Sequence, residues 1–275
     1  MGENYFKNKE ENIKNAKEHL NTIKSNKKTL LEIKSGILNS YIFDFTGIIE
    51  MKNDLTELIL KNISKFDDNT LIMVTPKDTV STFKKLIKES ADRIGLLNFA
   101  SFQNPGGMFL QGSMAQEECL CHNSVLFPIL EHFKKSYYTP NKANLNKGYY
   151  LDKGIYSKNI FFTKGLDKYA DVLTLAAPNL RYMQRTNTKM NEIEYMNILR
   201  MRIFTVLYQF AINDCYNIVL GAYGCGVFKN NPHIVASVFN DLLENEFKNV
   251  FWTVTFAIPD KLSENFKAFK NVFDR

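Results

Sequence analysis

The chain has 275 residues, of which 45% are hydrophobic and 23% are charged, so it is long enough to bury a sizeable core. No apolar run approaches the roughly 20 residues needed to span a bilayer, and the polar N-terminus lacks the apolar segment of a signal peptide, which predicts a cytoplasmic protein. The net charge of +6 suits an anionic partner, although a lysine-rich composition produces the same excess.

The first 65 residues are predicted to form an extension that packs on a core of residues 66–275. Residues 8–35 are rich in lysine and carry apolar side chains three and four positions apart, which predicts one amphipathic helix ending near Gly36. Residues 41–43 and 48–51 flank Thr46-Gly47, a pattern that predicts a hairpin or two short edge strands. Packing on the core is the favoured role, ahead of nucleic-acid binding.

Alternating elements then lead to a central strand. Residues 54–64 are predicted to be helical, 71–74 a buried strand, 79–92 a helix and 94–100 a second buried strand with Asn98 near its end. Strand, helix and strand in this order are typical of a crossover unit in a parallel or mixed sheet.

A glycine loop and two adjacent carboxylates follow this strand. Gly106-Gly107 permits tight turns and close approach of main-chain N–H groups to a ligand. Ser113 is a candidate cap for a helix whose first turn holds Gln116, Glu117 and Glu118. Adjacent helical side chains point about 100° apart, so the two carboxylates are expected to face different atoms. On its own, such an acidic first turn is more often a response to the helix dipole than a site.

The middle of the chain is predicted to hold structural elements. The acidic helix is expected to run to about residue 124 and to restart near Pro128. Residues 137–150 predict a long surface loop, either a substrate-contact region or structural filler. Strands are predicted at 159–163 and 171–177, and a mostly buried helix at 191–214.

A second glycine loop occurs near the C-terminus. Residues 217–221 predict a strand, residues 221–228 (GAYGCGVF) a loop that leads into a helix at 233–243, and residues 252–258 a final strand. Free N–H groups in such a loop suit a diphosphate. Two glycine loops, each after a predicted buried strand, are harder to explain as simple turns than one.

These two segments resemble the microbial branch of the poly(ADP-ribose) glycohydrolases. The family motif is three glycines, a spacer and Gln-Glu-Glu, and here Gly106-Gly107-Met108 and seven further residues precede Gln116-Glu117-Glu118. Met108 replaces the third glycine. The resemblance implies a three-layer α/β/α macrodomain-like fold with a mixed central sheet.

The resemblance also implies a glycosidase that hydrolyses the ribose–ribose O-glycosidic bond of poly(ADP-ribose) and releases ADP-ribose, without a metal or cofactor. By match to the motif, Glu118 would be the general acid and base and Glu117 the ribose-orienting partner. The residues expected to bind ADP-ribose are Asn98, Ser101, Asn104, Gly106, Gly107 and Gln116 from the first segment, and Ala222, Tyr223, Gly224, Cys225, Gly226, Val227 and Phe228 from the second.

Two alternatives remain open from the sequence. One is a mono-ADP-ribosyl hydrolase of the same fold that acts on modified protein or nucleic acid. The other is a non-catalytic ADP-ribose-binding module. The presence of Glu117 and Glu118 argues against this module, and Met108 keeps it open because a side chain at this position could narrow the pocket or shift the loop. The four histidines show no spacing typical of nucleophilic catalysis, and Cys119 and Cys121 are poorly spaced for a shared metal on a helix.

Overall fold

The structure is a computed structural model that describes residues 2–45, 48–61, 69–89 and 93–274. The helices are α1 (Gly2–Ser25), α2 (Lys27–Leu38), α3 (Ile48–Lys61), α4 (Thr79–Lys88), α5 (Gln116–Asn123), α6 (Leu126–His132), α7 (Thr139–Ala143), α8 (Leu180–Arg185), α9 (Glu192–Ile212), α10 (Pro232–Glu244) and α11 (Glu264–Phe273). The strands are β1 (Ser40–Asp44), β2 (Leu71–Thr75), β3 (Ile94–Phe99), β4 (Lys153–Phe162), β5 (Lys168–Leu175), β6 (Asn217–Leu220) and β7 (Thr253–Ala257).

The seven strands form one mixed sheet in the order β1-β4-β5-β3-β6-β7-β2. The β5, β3, β6, β7 and β2 strands run parallel, while β4 pairs antiparallel with both β1 and β5. β3 lies at the centre, and its consecutive side chains Leu96 and Leu97 belong to two different apolar clusters. The sheet is therefore covered on both faces, which explains the continuous apolar run of this strand.

Helices cover the two faces in separate groups. One apolar cluster contains buried side chains from α3, α9, α10 and α11, and the other contains side chains from α1, α2, α4, α5 and α6. The predicted three-layer fold with a mixed central sheet and N-terminal helices is confirmed. None of the helices within the described ranges is long and apolar enough to cross a membrane.

The N-terminal region differs from the prediction in three respects. The predicted single helix is two helices, because the side chain of Asn26 accepts hydrogen bonds from Lys28 and Thr29 N–H and caps α2. Gly36 does not end a helix but lies inside α2, where an added Cβ would overlap Ile129. Residues 48–51 begin helix α3 and are not a strand, while Thr46-Gly47 of the predicted hairpin lies outside the described residues.

Strand β1 falls within the predicted extension and pairs with β4 along its full length, from Ser40 opposite Ser157 to Asp44 opposite Lys153. The extension thus contributes one strand to the sheet of the core. The division of the chain near residue 65 remains a prediction.

Further corrections concern exposure. The predicted buried strand 71–74 is β2, an edge strand whose Leu71 is 54% exposed, because only β7 pairs with it. The predicted surface loop at 137–150 consists instead of short helical turns, and its four tyrosines at 137, 138, 149 and 150 are all buried. The tyrosine ring has enough apolar surface to pack in a core. The polar character of the segment therefore gave the wrong prediction of exposure.

Candidate active site

The two glycine loops leave the same end of the sheet side by side. They follow β3 and β6, which are neighbouring parallel strands. After β3 the chain passes to α5 on one face of the sheet, and after β6 it passes to α10 on the other face. In open α/β sheets a crevice forms at the carboxyl ends of strands at such a switch point, and ligands bind there. The topology therefore brings the starts of two loops more than 100 residues apart to neighbouring strands.

The first loop requires both of its glycines. Gly106 and Gly107 have φ angles of 65° and 63°, in the left-handed region. A Cβ on Gly106 would lie 2.6 Å from the Phe127 ring, and a Cβ on Gly107 would collide with the Glu118 carboxylate and lie 3.1 Å from Glu117 Oε2. Glycine at 107 therefore permits the chain turn and also leaves room for two carboxylates.

The two carboxylates both lie beside Gly107, but they accept hydrogen bonds from different atoms, as expected. Both side chains are buried at the start of α5, where Ala115 is the N-cap and the predicted Ser113 cap is absent. Glu117 Oε2 accepts a hydrogen bond from Ser101 N–H (2.7 Å) and Oε1 accepts one from Asn98 Nδ2 (3.3 Å). The side-chain torsions of Glu allow adjacent residues to converge although their Cα–Cβ bonds diverge.

The hydrogen bonds of the pair are unequal. Glu118 Oε1 accepts a hydrogen bond from Met108 N–H at 2.8 Å, but the buried Glu118 Oε2 has no partner within the described part of the chain. Burial, reinforced by the charge of Glu118, raises the pKa of Glu117 to about 8, against the opposing hydrogen bonds from Ser101 and Asn98. One proton is therefore held by the pair near neutral pH.

Gln116 holds the catalytic helix in place. Its Oε1 accepts a hydrogen bond from Phe99 N–H (2.9 Å), and its Nε2 donates to Leu97 O (2.7 Å) and Thr79 Oγ1 (3.1 Å). Both polar atoms of the side-chain amide are therefore already hydrogen-bonded, to the end of β3 and to the start of α4. Gln116 was predicted to bind the ligand, but its contacts are those of a residue that positions α5.

The other predicted residues of the first loop surround the pair. Asn98 is fully buried and joins Glu117 to Thr174 Oγ1 (3.2 Å), while its own Oδ1 has no partner among the described residues. Ser101 Oγ accepts a hydrogen bond from Asn104 N–H (3.2 Å). Asn104 O accepts one from Gly107 N–H (3.0 Å), which closes the loop.

Met108 occupies the third glycine position of the motif without strain. Its φ angle is −107°, which any residue can adopt, and its side chain is 46% exposed. The main-chain N–H, which any residue other than proline supplies, is the group that contacts Glu118. Replacement of the glycine by methionine therefore preserves the contact with the carboxylate.

The second loop is shaped by close packing. Gly224 has a φ angle of 73°, and a Cβ there would lie 2.5 Å from both Ala177 Cβ and Asn230 Nδ2, whereas a Cβ on Gly226 would have no neighbour within 4 Å. Asn230 Nδ2 donates hydrogen bonds to Pro178 O (2.8 Å) and Gly224 O (2.9 Å). Sequence reasoning missed Asn230, because asparagine before a helix is usually read as a cap.

Some N–H groups of this loop have no acceptor within the described ranges, namely those of Gly224, Gly226 and Val227. Free main-chain N–H groups close together in a loop are the kind of group that can bind an anion. Helix α10 begins at Pro232, one residue before the predicted start, and Asn231 Oδ1 caps it by accepting a hydrogen bond from His233 N–H. Tyr223 and Cys225 are buried beneath the loop, Val227 is exposed, and Ala222 and Phe228 are partly buried.

An aromatic group connects the two loops. The Phe102 ring of the first loop stacks on Tyr150 with 3.9 Å between ring centroids, and Phe228 lies 6.5 Å from Phe102. The residue before Tyr150 is also tied to the core, because the buried Arg202 of α9 donates hydrogen bonds to Tyr149 O and Ala176 O. Phe102, Tyr150 and Arg202 were not predicted, since nothing in their local sequence marks them as neighbours.

Comparison with known proteins identifies the family. No curated protein matches the chain. Among solved structures, poly(ADP-ribose) glycohydrolase from Thermomonospora curvata has a TM-score of 0.81 and 26% identity, over 96% of this chain and 100% of that chain. The Deinococcus radiodurans enzyme in complex with ADP-ribose has a TM-score of 0.77 and 29% identity, over 88% of this chain and 97% of that chain.

A further structure is that of the Thermomonospora curvata enzyme bound to the inhibitor ADP-HPD, with a TM-score of 0.78, 26% identity and coverage of 95% of this chain and 99% of that chain. The family described as microbial-type PARG, catalytic domain, matches residues 4–165, which is more than half of the chain and includes the first glycine loop and both carboxylates. The chain therefore belongs to the microbial-type poly(ADP-ribose) glycohydrolase (PARG) family.

Proposed function

We propose that this protein hydrolyses the ribose–ribose O-glycosidic bond of poly(ADP-ribose) and releases ADP-ribose, with Glu118 as general acid and base. The observation that carries the proposal is the hydrogen bonding of the carboxylate pair. Of four carboxylate oxygens, three accept N–H donors and Glu118 Oε2 has none within the described residues. Membership of the family and its ADP-ribose complexes support the substrate class.

The unpartnered oxygen of Glu118 is the one that remains free to contact a substrate. The hydrogen bonds from Ser101 and Asn98 oppose protonation of Glu117, but burial outweighs them and raises the pKa of Glu117 to about 8. A buried polar atom without a partner in a native protein often marks a catalytic role. Glu118 Oε2 is thus the carboxyl oxygen left to contact the leaving group, which fits the proposed role of Glu118 as general acid, with Glu117 as the partner that contacts the ribose.

The reaction then proceeds in two proton transfers. Glu118 Oε2 donates its proton to the leaving 2′-oxygen as the glycosidic bond breaks, and a positively charged ribose forms. The Glu118 carboxylate next removes a proton from a water molecule whose oxygen bonds to the anomeric carbon. The acid is regenerated, and the ADP-ribose product leaves.

The second loop is proposed to hold the diphosphate. Its free N–H groups at Gly224, Gly226 and Val227 suit the phosphate oxygens, and the open space beside Gly226 leaves room for them. Phe228, which is partly buried and packs near Phe102 and Tyr150, offers apolar surface to a sugar or base. The remaining predicted binding residues stay predictions, as does a cytoplasmic location.

The decisive experiment compares substrates. Wild-type protein and Glu118→Gln are incubated with labelled poly(ADP-ribose) and with mono-ADP-ribosylated protein. We expect release of ADP-ribose from the polymer, and a loss of at least about 100-fold in kcat for the variant, because general acid catalysis contributes that much. The glutamine keeps the acceptor for Met108 N–H but cannot donate a carboxylic proton.

Glu131→Gln is the matched control, since Glu131 is an exposed residue of the neighbouring helix α6 and should keep full activity. Both variants should retain ADP-ribose binding. Binding without turnover by the wild type would favour a non-catalytic module. Release only from the mono-modified protein would replace polymer hydrolysis with mono-ADP-ribosyl hydrolysis.

A further inference from the structure

A second cleft lies at the opposite end of the catalytic helix. It has a volume of about 650 Å³ and is enclosed by α1, the start of α2, the C-terminal end of α5 and the turn between β4 and β5. Its volume falls within the range of small-molecule sites. Glu117 and Glu118 stand at the N-terminal end of α5 and do not line it, so this cleft is separate from the candidate active site.

Two histidines form the floor of this cleft. The His19 and His122 rings both pack edge-on against Phe109, with centroid distances of 6.5 and 4.6 Å. His19 Nε2 forms a hydrogen bond with Ser124 O at 2.9 Å. His122 is 4% exposed, and its Nε2 has no hydrogen-bond partner among the described residues. A buried ring nitrogen in a cleft wall is thus left for a ligand to satisfy.

The charges around the histidines favour an anionic group. Burial, with the nearby charges of Lys164 and His19, lowers the pKa of His122 to about 4, so its ring is neutral at physiological pH and Nε2 can donate a hydrogen bond as one tautomer. Burial lowers the pKa of His19, and the charge of Lys164 adds to this effect. The Lys164 side chain lines the same cleft as the two rings. The carboxylate of Glu18 is paired with Lys14 at 3.8 Å.

The remaining lining suits hydroxyl groups more than a nucleobase. Asn15, Asn123 and Thr163 supply amide and hydroxyl oxygens, and the Asp167 carboxylate can accept hydrogen bonds from hydroxyls. The Phe161 ring is the only large aromatic surface in the lining besides the histidines, and Lys28 Nζ lies 4.6 Å over it. A base therefore finds no free Phe, Tyr or Trp face on which to stack.

We propose that this cleft binds a phosphorylated sugar, with the phosphate between Lys164 and His122 Nε2 and the sugar hydroxyls on the amide and carboxylate side chains. The inference does not depend on the proposed hydrolase activity, because it uses other residues. It does assign a ligand to the end of α5 that faces away from the carboxylates.

Calorimetric titration tests the proposal directly. Ribose 5-phosphate is the probe, and saturating ADP-ribose is present throughout to fill the active site. Ribose and inorganic phosphate are titrated in the same way. We expect ribose 5-phosphate to bind at least about tenfold more tightly than either fragment. No binding of ribose 5-phosphate, or equally tight binding of phosphate alone, would overturn the proposal.

Two variants locate the site. His122→Phe keeps a ring against Phe109 but removes the free nitrogen, and Lys164→Asn removes the charge with a residue that tolerates the observed φ of 56°. Each should weaken ribose 5-phosphate binding by about tenfold or more. Lys168→Gln, an exposed residue of the same hairpin outside the cleft lining, should bind as the wild type does.

Unchanged binding by both variants would contradict the assignment. Lys164 is exposed on a turn, so Lys164→Asn decides the question if His122→Phe does not fold. Retained ADP-ribose binding in the active site and an unchanged melting temperature serve as the folding controls.

Discussion

At the scale of single residues, the site depends on glycine at position 107 for two separate reasons. Its backbone is in the left-handed region, and its missing side chain leaves the space taken by the carboxylates of Glu117 and Glu118. The motif match alone indicates that glycine stands here. The structure adds the reason, which is that the side-chain torsions of two adjacent glutamates bring both carboxylates onto one residue.

Gly107→Ala should lose at least about 100-fold in kcat, because the methyl group would displace the carboxylate of Glu118, the proposed general acid. It should also lower the free energy of unfolding by about 2 kcal/mol, from the positive φ and the collision with Glu118. Gly165→Ala is the matched control, since Gly165 has a φ of 78° with nothing within 4 Å of its Cβ position. That variant should show only the backbone cost of about 1 kcal/mol and normal activity. Enzyme assays and urea unfolding of both variants test this.

The titration of Glu117 predicts a dependence of stability on pH. Its pKa rises from 4.5 to about 8 on folding, so between these values the native protein holds a proton that the unfolded chain has lost. The free energy of unfolding should therefore fall as pH rises from about 5 to about 8, by up to about 1 kcal/mol per pH unit. Urea unfolding across this range should show the slope, and Glu117→Gln should flatten it. An identical slope in the variant would contradict the assignment.

At the scale of elements, helix α5 is aligned by one side chain. Gln116 pairs with the main chain of β3 at both Leu97 O and Phe99 N–H, so the first turn of the helix is fixed to the end of the central strand. The helix has only eight residues, too few to be stable by itself. Its position, and hence that of the carboxylates, depends on this contact and on apolar packing.

Gln116→Ala should lower the free energy of unfolding by about 3 kcal/mol, because it leaves a buried N–H and a buried carbonyl without partners. It should also reduce kcat, since α5 is no longer held at the end of β3. Gln103→Ala, an exposed glutamine of the same segment, should change stability by less than about 0.5 kcal/mol. Chemical unfolding and initial rates of both variants would show whether Gln116 positions the helix. Loss of ADP-ribose affinity with unchanged kcat and stability would instead favour direct ligand contact.

At the scale of the whole molecule, the N-terminal helices share an apolar cluster with the sheet. Ala16 and Ile23 of α1 and Ile33 of α2 lie in the same cluster as Leu96 of β3. Strand β1 follows these helices and joins the sheet. We therefore expect the extension and the core to unfold together.

Ala16→Asp tests this expectation, because Ala16 is fully buried and an unpaired carboxylate there should cost about 3 kcal/mol or more. The only tryptophan, Trp252, lies beside β7, away from α1. Its fluorescence should report a lower melting temperature if the molecule unfolds as one unit. Lys17→Asp, at the exposed neighbouring position, is the control. An unchanged Trp252 transition in Ala16→Asp would show that the extension unfolds independently.

Local sequence patterns predicted most strands and helices of the core. Strand β3, the two glycine loops, helix α9 and the first-turn position of the carboxylates all follow from short-range signals. The errors concern residues whose role depends on distant partners. Gly36 resembles a helix stop but packs against Ile129, and the tyrosines at 137–150 resemble a surface loop but join the core.

The sequence by itself determined the alternation of strands and helices and the two glycine loops, because glycine geometry and hydrophobic periodicity are local properties. The layered fold and the importance of the acidic pair were implied by the resemblance of the motif to its family. Only the tertiary structure decided that both carboxylates lie beside Gly107, that Phe102 stacks on Tyr150, and that β3 and β6, which precede the two loops, are neighbouring strands. The physical reason is that β3 and β6 become neighbours through main-chain pairing across more than 100 residues, and no local pattern encodes that register.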